Sequence, residues 1–218
     1  MQKSLQPLLN NKFAALTLIA VSFGLIFVPL AKFPIKFMII TALVLLFAFL
    51  QEGSLRGLNF KRLRLQEVII IIVSYLGLEL LMDFAIQPLV SKIFNEPADY
   101  TAFDFIKGDT QSYYKYLLYM WISAAVGEEV LFRGFMTLQL RKIVGERKLV
   151  IVLITAVLFA LPHLYQGLSG LVMTFLFGLA FGFLYLRFNN IWINIIVHGL
   201  IDSLFLTLAY FGETGFYQ

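Results

Sequence analysis

Seven apolar runs, at about 13–31, 36–50, 68–91, 113–140, 149–165, 169–187 and 191–211, occupy most of this chain, with short polar connectors between them. About 20 apolar residues cross a bilayer core as a helix. Inside lipid, the backbone of such a segment has to satisfy its own hydrogen bonds. The pattern therefore predicts an all-α fold, a polytopic transmembrane helix bundle of about seven spans, with six to eight as the range. The second and fifth runs are short for a span, so tilt or extension into their flanks is expected. The first run follows Lys3 and Lys12 as a signal peptide would. It is long for such an apolar region and lacks a clear small-x-small cleavage site, so it reads as an anchor.

Composition supports this class. Hydrophobic residues make up 60% of the 218 and charged ones 14%, with a mean hydropathy of +0.85; an average soluble domain is roughly 25% charged. Twenty-three Phe and ten Tyr supply lipid-facing and interfacial side chains, and fifteen Gly allow close helix contacts. Cysteine is absent, which removes disulfides, thiolate catalysis and cysteine metal sites. The net charge of +4 reads as basic loops beside a membrane, and no nucleic-acid motif is present. No repeat, low-complexity tract or soluble domain is evident. Residues 1–218 form one integral-membrane domain, in which 1–110 carries no clear motif and 111–211 is the candidate catalytic core.

Loop charges predict the orientation. Arg56, Lys61, Arg62 and Arg64 precede the third run, and Arg141, Lys142, Arg147 and Lys148 follow the fourth. The positive-inside rule places both clusters in the cytoplasm. Alternation then puts the N-terminus and Arg187 inside and the 92–111 loop outside, in what is expected to be a multi-pass cell-membrane protein. Lys32 and Lys36 oppose this scheme weakly.

Three charges interrupt the fourth run, in Gly127-Glu128-Glu129-Val130-Leu131-Phe132-Arg133. Each central charge costs about 2.5 to 3.5 kcal/mol on insertion scales, so an intramembrane ionisable residue points to function. An ion pair between Glu129 and Arg133, one helical turn apart, accounts for two of the three. Glu128 remains, about 100° around the helix from its neighbour. Glu79 and Asp83, also four apart, sit in the third run, where an interhelical hydrogen bond is the favoured role and a substrate-amine contact the other.

The chain has two histidines, His163 in Phe159-Ala160-Leu161-Pro162-His163 and His198 in His198-Gly199-Leu200-Ile201-Asp202. Spacing puts His198 and Asp202 on one helix face. At about 1.5 Å per residue, Glu128 lies about 20 Å from Arg141, His163 about 21 Å from Leu149 and His198 about 12 Å from Asn190. Three runs thus deliver polar groups to overlapping depths, and a shared catalytic cavity within the membrane is the economical reading.

The ordered set Glu128, Glu129 and Arg133, then Phe159 and His163, then His198 and Asp202 resembles the CPBP or Abi intramembrane proteases. These comprise the CAAX prenyl endopeptidases and bacteriocin-processing membrane proteins, with the pattern Glu-Glu-x-x-x-Arg, Phe-x-x-x-His, His-x-x-x-Asn/Asp. The motifs cover about residues 120–205. The resemblance implies an α-helical membrane peptidase whose site opens toward the cytoplasm. It acts on a membrane-associated peptide, which in that family includes prenylated tails and leader peptides, and membrane lipid is its other partner.

The residues suit that chemistry. Glu128 in a poorly solvated cavity is the candidate general base, taking a proton from water and passing it to the leaving amine. Glu129 is held by Arg133. His163 orients the water, and His198 with Asp202 polarises the carbonyl or stabilises the oxyanion. A bare Asp202 carboxylate would repel an oxyanion, so Asp202 serves either through a proton or by orienting His198. Two histidines and carboxylates also suffice for catalytic zinc, with Glu128, His163, His198 and Asp202 as the ligand set. The base role of Glu128 favours the metal-free alternative. Two other classes stay open: a non-catalytic scaffold or immunity protein of the same fold, and a proton-coupled transporter, for which no repeat is seen.

Overall fold

The computed structural model of the chain describes residues 9–217; Lys3 lies outside them. Among the described residues there is no strand, and seven helices follow the seven runs. They are α1 (Lys12–Gly24), α2 (Ile35–Glu52), α3 (Leu65–Phe94), α4 (110–144), α5 (Lys148–Ala160), α6 (Gly167–Phe188) and α7 (Ile191–Phe211).

Helix boundaries follow local chemistry. The Asn11 side chain accepts from the Ala14 N–H at 2.8 Å and starts α1. Asp109 accepts from the Gln111 and Ser112 amides and starts α4, and the Ser112 hydroxyl and amide hold its carboxyl below the usual range. Gly53, Asn95, Asn189 and Gly212 end α2, α3, α6 and α7 in the left-handed conformation, which glycine and asparagine adopt at low cost.

Two helices are wound unevenly. In α3, Pro88 has no N–H to give the preceding turn, and Met82–Ile86 widens so that the Gln87 N–H reaches the Met82 carbonyl five residues back. In α4 the wide winding runs over Trp121–Met136, between ordinary α-helical ends. Such i→i+5 turns occur often at functional sites.

The 41 residues Lys148–Phe188 are long and apolar enough for one continuous span, but Pro162 opens a 3₁₀ turn, Leu161–Gln166, that folds α5 back on α6. Glycine sets their closeness. A methyl group at Gly178 would lie 2.9 Å from Ala156 Cα, and one at Gly182 would lie 3.0 Å from Val152 Cγ1. Small residues four apart are a common way for membrane helices to approach. As the run lengths predict, α5 is short at 13 residues, and the turn extends it.

The bundle has two unlike ends. At one, the side chains of Gln51 and Gln139 donate to each other at 3.2 and 2.7 Å, and Lys142 Nζ reaches Glu52 and Asn10 at 2.6 Å. The Ile191 amide donates to the Asn59 carbonyl at 3.1 Å, and Asn59 Nδ2 donates to the Tyr185 hydroxyl at 2.9 Å. This end carries the two basic clusters, 56–64 and 141–148. The other end gathers 95–109, the α5–α6 turn and the last turn of α7. There the Asp99 amide donates to the Gln166 carbonyl and the Gly108 amide to the Tyr210 carbonyl, both at 2.9 Å. Large apolar side chains stay exposed along the helices, such as Val73, Phe84 and Ile93 of α3. With four helical stretches long and apolar enough to cross a membrane, the molecule is a helical membrane bundle.

Candidate active site

The wide winding of α4 presents Glu128 and Glu129 to different surroundings. Glu129 is fully buried, and its Oε1 lies 2.9 Å from Arg133 Nη1, the ion pair expected from spacing. The same oxygen lies 2.9 Å from His198 Nδ1 on α7. Arg133 is 1% exposed and is enclosed by rings, with its guanidinium carbon 4.1 Å from the centroid of Phe159 and 5.1 Å from that of Phe181. Stacking of this kind stabilises a desolvated cation. Its Nη2 donates to the Gly178 carbonyl at 3.4 Å, so the glycine that lets α6 approach α5 also supplies an acceptor to the ion pair.

Phe159 has a second task. Its carbonyl lies 3.1 Å from His163 Nδ1, four residues on. Read as a donor bond from Nδ1, this leaves Nε2 as the acceptor of that imidazole. His163 stands inside the α5–α6 turn rather than in α5 proper, because Pro162 stops the helix. His198 stacks on Phe181, with centroids 5.1 Å apart. Its Nε2 lies 3.6 Å from Asp202 Oδ2, an ion-pair separation longer than a hydrogen bond. Of the two roles expected for Asp202, orienting His198 passes to Glu129, which makes the short contact. Trp121 covers Gly199, where any Cβ would fall 2.7 Å from the indole, and its Nε1 donates to Ser203 Oγ at 3.0 Å.

Glu128, His163, His198 and Asp202 line one cavity of about 520 Å³, within the range of small-molecule sites. The structure thus brings together every site residue read from the sequence: four at the cavity wall, and Glu129 with Arg133 immediately behind it. Glu79 and Asp83 line the same cavity. The interhelical hydrogen bond expected of them is not what they form, since each finds its neighbour on its own helix. Spacing gave no sign of Phe181 or Gly178, whose parts depend on how α6 lies against α4 and α7.

The cavity lies toward the end away from the basic clusters. Its lining includes Phe33, Phe105 and Tyr165, which are 41%, 47% and 55% exposed at the end away from the basic clusters. The basic end is closed by the glutamine pair and by buried Phe132, Phe135 and Met136.

Both nitrogens of His198 face carboxylates, and among the described residues no three His, Asp or Glu side chains gather closely enough to hold a metal ion. The arrangement of the described residues does not fit a three-ligand zinc site.

No curated protein and no solved structure matches the chain. A family model does, over residues 110–204, described as type II CAAX prenyl endopeptidase Rce1-like. That stretch runs from the first turn of α4 to two residues past Asp202 and holds all three motifs. Residues 110–204, which supply Glu128, His163, His198 and Asp202 to the cavity wall, are thus similar to the Rce1-like, type II CAAX prenyl endopeptidases.

Proposed function

We propose that the protein is a multi-pass intramembrane endopeptidase that hydrolyses a peptide bond with water activated by Glu128. One observation carries the reading: Glu128 and His163 face a common cavity with His198 and Asp202, while Glu129 is fixed behind them by Arg133 and His198. A carboxylate that shares its cavity with an imidazole whose acceptor nitrogen is open is suited to general-base work.

His163 Nε2 accepts one hydrogen of the water while Glu128 takes the other as a proton. The hydroxide attacks the carbonyl carbon and forms a tetrahedral oxyanion. His198 donates through Nδ1–H to ionised Glu129, and in its doubly protonated form it offers Nε2–H to the oxyanion. The intermediate collapses, the C–N bond breaks, and Glu128 returns its proton to the departing amine. Asp202, beside Nε2, balances the charge of the imidazolium.

With the basic clusters in the cytoplasm, the cavity faces the opposite compartment, and orientation decides which side supplies the peptide. The substrate is a membrane-associated chain, held by apolar walls such as Phe103, Phe177 and Phe205. The test compares terminal peptides from membranes holding wild-type protein or Glu128→Gln, then follows cleavage of a candidate peptide by both proteins in detergent. Turnover is expected to fall at least a hundredfold in the variant, near the usual worth of a general base. Unchanged turnover would refute the assignment.

A further inference from the structure

Across the cavity from His198, α3 contributes a second polar group that the hydrolytic residues leave unused. Glu79 and Asp83 are each 8% exposed, and both face the cavity. They lie within hydrogen-bonding reach of one another and meet no Arg, Lys or His. Glu79 Oε1 has no hydrogen-bond partner. Two adjacent carboxyls shielded from water need a shared proton or a cation between them, and a buried acceptor left unpaired is destabilising. Gln87 and Tyr100 close this part of the wall, an amide and a ring that suit an organic cation. A metal ion would want a third ligand, and none gathers here. Asp202 lines the same cavity, so a group bound here shares that space with the residues assigned to hydrolysis.

Resting on the peptidase reading, we propose that Glu79 and Asp83 form a specificity subsite for a cationic group of the substrate, a lysine or arginine side chain or a free amine near the scissile bond. The aromatic cavity takes the apolar part of the chain, and the acid pair fixes its register by holding the charge.

Two measurements separate this inference from the reading beneath it. The first needs no catalysis: thermal shift of the detergent-solubilised protein with octylamine, octanol, NaCl or CaCl₂. Octylamine is expected to stabilise the wild type more than octanol does, and the difference is expected to vanish in the Glu79→Gln/Asp83→Asn double variant. Equal shifts from amine and alcohol, an amine effect that survives in the variant, or a larger effect from Ca²⁺ or Na⁺ would each overturn the proposal. The second measures cleavage of peptides carrying lysine, norleucine or glutamate at scanned positions. Lysine is expected to win over norleucine by about tenfold, the usual worth of a hydrogen bond to a charged group. The preference is expected to appear in KM and to collapse in the double variant. A lysine preference unchanged in a folded variant would overturn the subsite. Absence of any cleavage by the wild type would instead count against the peptidase reading, and the amine measurement would still decide the subsite.

Discussion

His198 Nδ1 lies 2.9 Å from Glu129 Oε1, and that oxygen also receives Arg133 Nη1 at 2.9 Å. One buried carboxylate oxygen thus ties α4 to α7 and sets which nitrogen of His198 carries a proton toward α4. An ionised Glu129 accepts only, so Nδ1 is the donor and Nε2 is directed at the cavity. The second acid of the motif is a positioning residue. Its contact gives the second glutamate a part in the architecture, although only Glu128 of the two lines the cavity.

Removing that tie should cost stability and activity together. Glu129→Gln leaves the Arg133 guanidinium without its anion at 1% exposure, and breaking a buried pair from one side typically costs about 3 to 5 kcal/mol. Arg133→Met takes the guanidinium from Glu129 and leaves it the His198 contact. The double variant should be more stable than the sum of the singles predicts, because neither charge is then left alone. A thermal denaturation series in detergent measures this, and strictly additive losses would show that the pair is not coupled.

A second expectation concerns the glycine behind the ion pair. Gly178→Ala puts a methyl carbon 2.9 Å from Ala156 Cα, so α5 and α6 must separate, and the Gly178 carbonyl moves relative to Arg133. Overpacking of this sort costs about 1 to 3 kcal/mol. Gly24→Ala, with nothing within 4 Å of the added carbon, is the control. Equal melting temperatures for the two variants would mean that the α5–α6 contact tolerates expansion.

The helices were legible because lipid imposes a coarse rule: apolar length alone marks a crossing, and all seven runs became helices. The ion pair and the His198–Asp202 face were legible because both lie within one helix, where spacing fixes direction. The tie from Glu129 to His198 was not, because it joins residues 69 apart and depends on how α4 and α7 pack. The same holds for Phe181, an ordinary phenylalanine of α6 until it stacks on both Arg133 and His198. Glu79 and Asp83 stand out by spacing, with packing the favoured role and a substrate-amine contact the other, since a sequence does not show whether a polar face meets a helix or a cavity. Loop charge marked the two ends of the bundle without showing at which of them the helices part.

Metal dependence follows from the same geometry. With His198 Nδ1 bonded to Glu129, its Nε2 facing Asp202 and His163 Nδ1 near the Phe159 carbonyl, activity is expected to survive chelation, and purified active protein is expected to hold far less than one zinc per chain. Metal analysis before and after EDTA reads this directly. Near-stoichiometric zinc that falls in His163→Ala, with activity restored by Zn²⁺ after chelation, would establish a zinc site and displace the metal-free mechanism.

Access to the cavity gives the last expectation. Arg62 and Lys148 belong to the basic end, and Ala102 lines the cavity at the other. If the basic clusters lie in the cytoplasm, as their charge directs, single cysteines at positions 62 and 148 should react with a membrane-impermeant thiol reagent only in opened cells. A cysteine at 102 should react in intact ones. The natural chain contributes no background, since it has no cysteine. A bulky adduct at 102 should also slow cleavage, because it stands in the wall through which the peptide reaches Glu128, whereas adducts at 62 and 148 should leave the rate unchanged. The reverse labelling pattern would turn the molecule over and hand its site to cytoplasmic peptides. Adducts at 62 or 148 that block cleavage while 102 does not would mean that substrate passes through the end closed by Gln51 and Gln139.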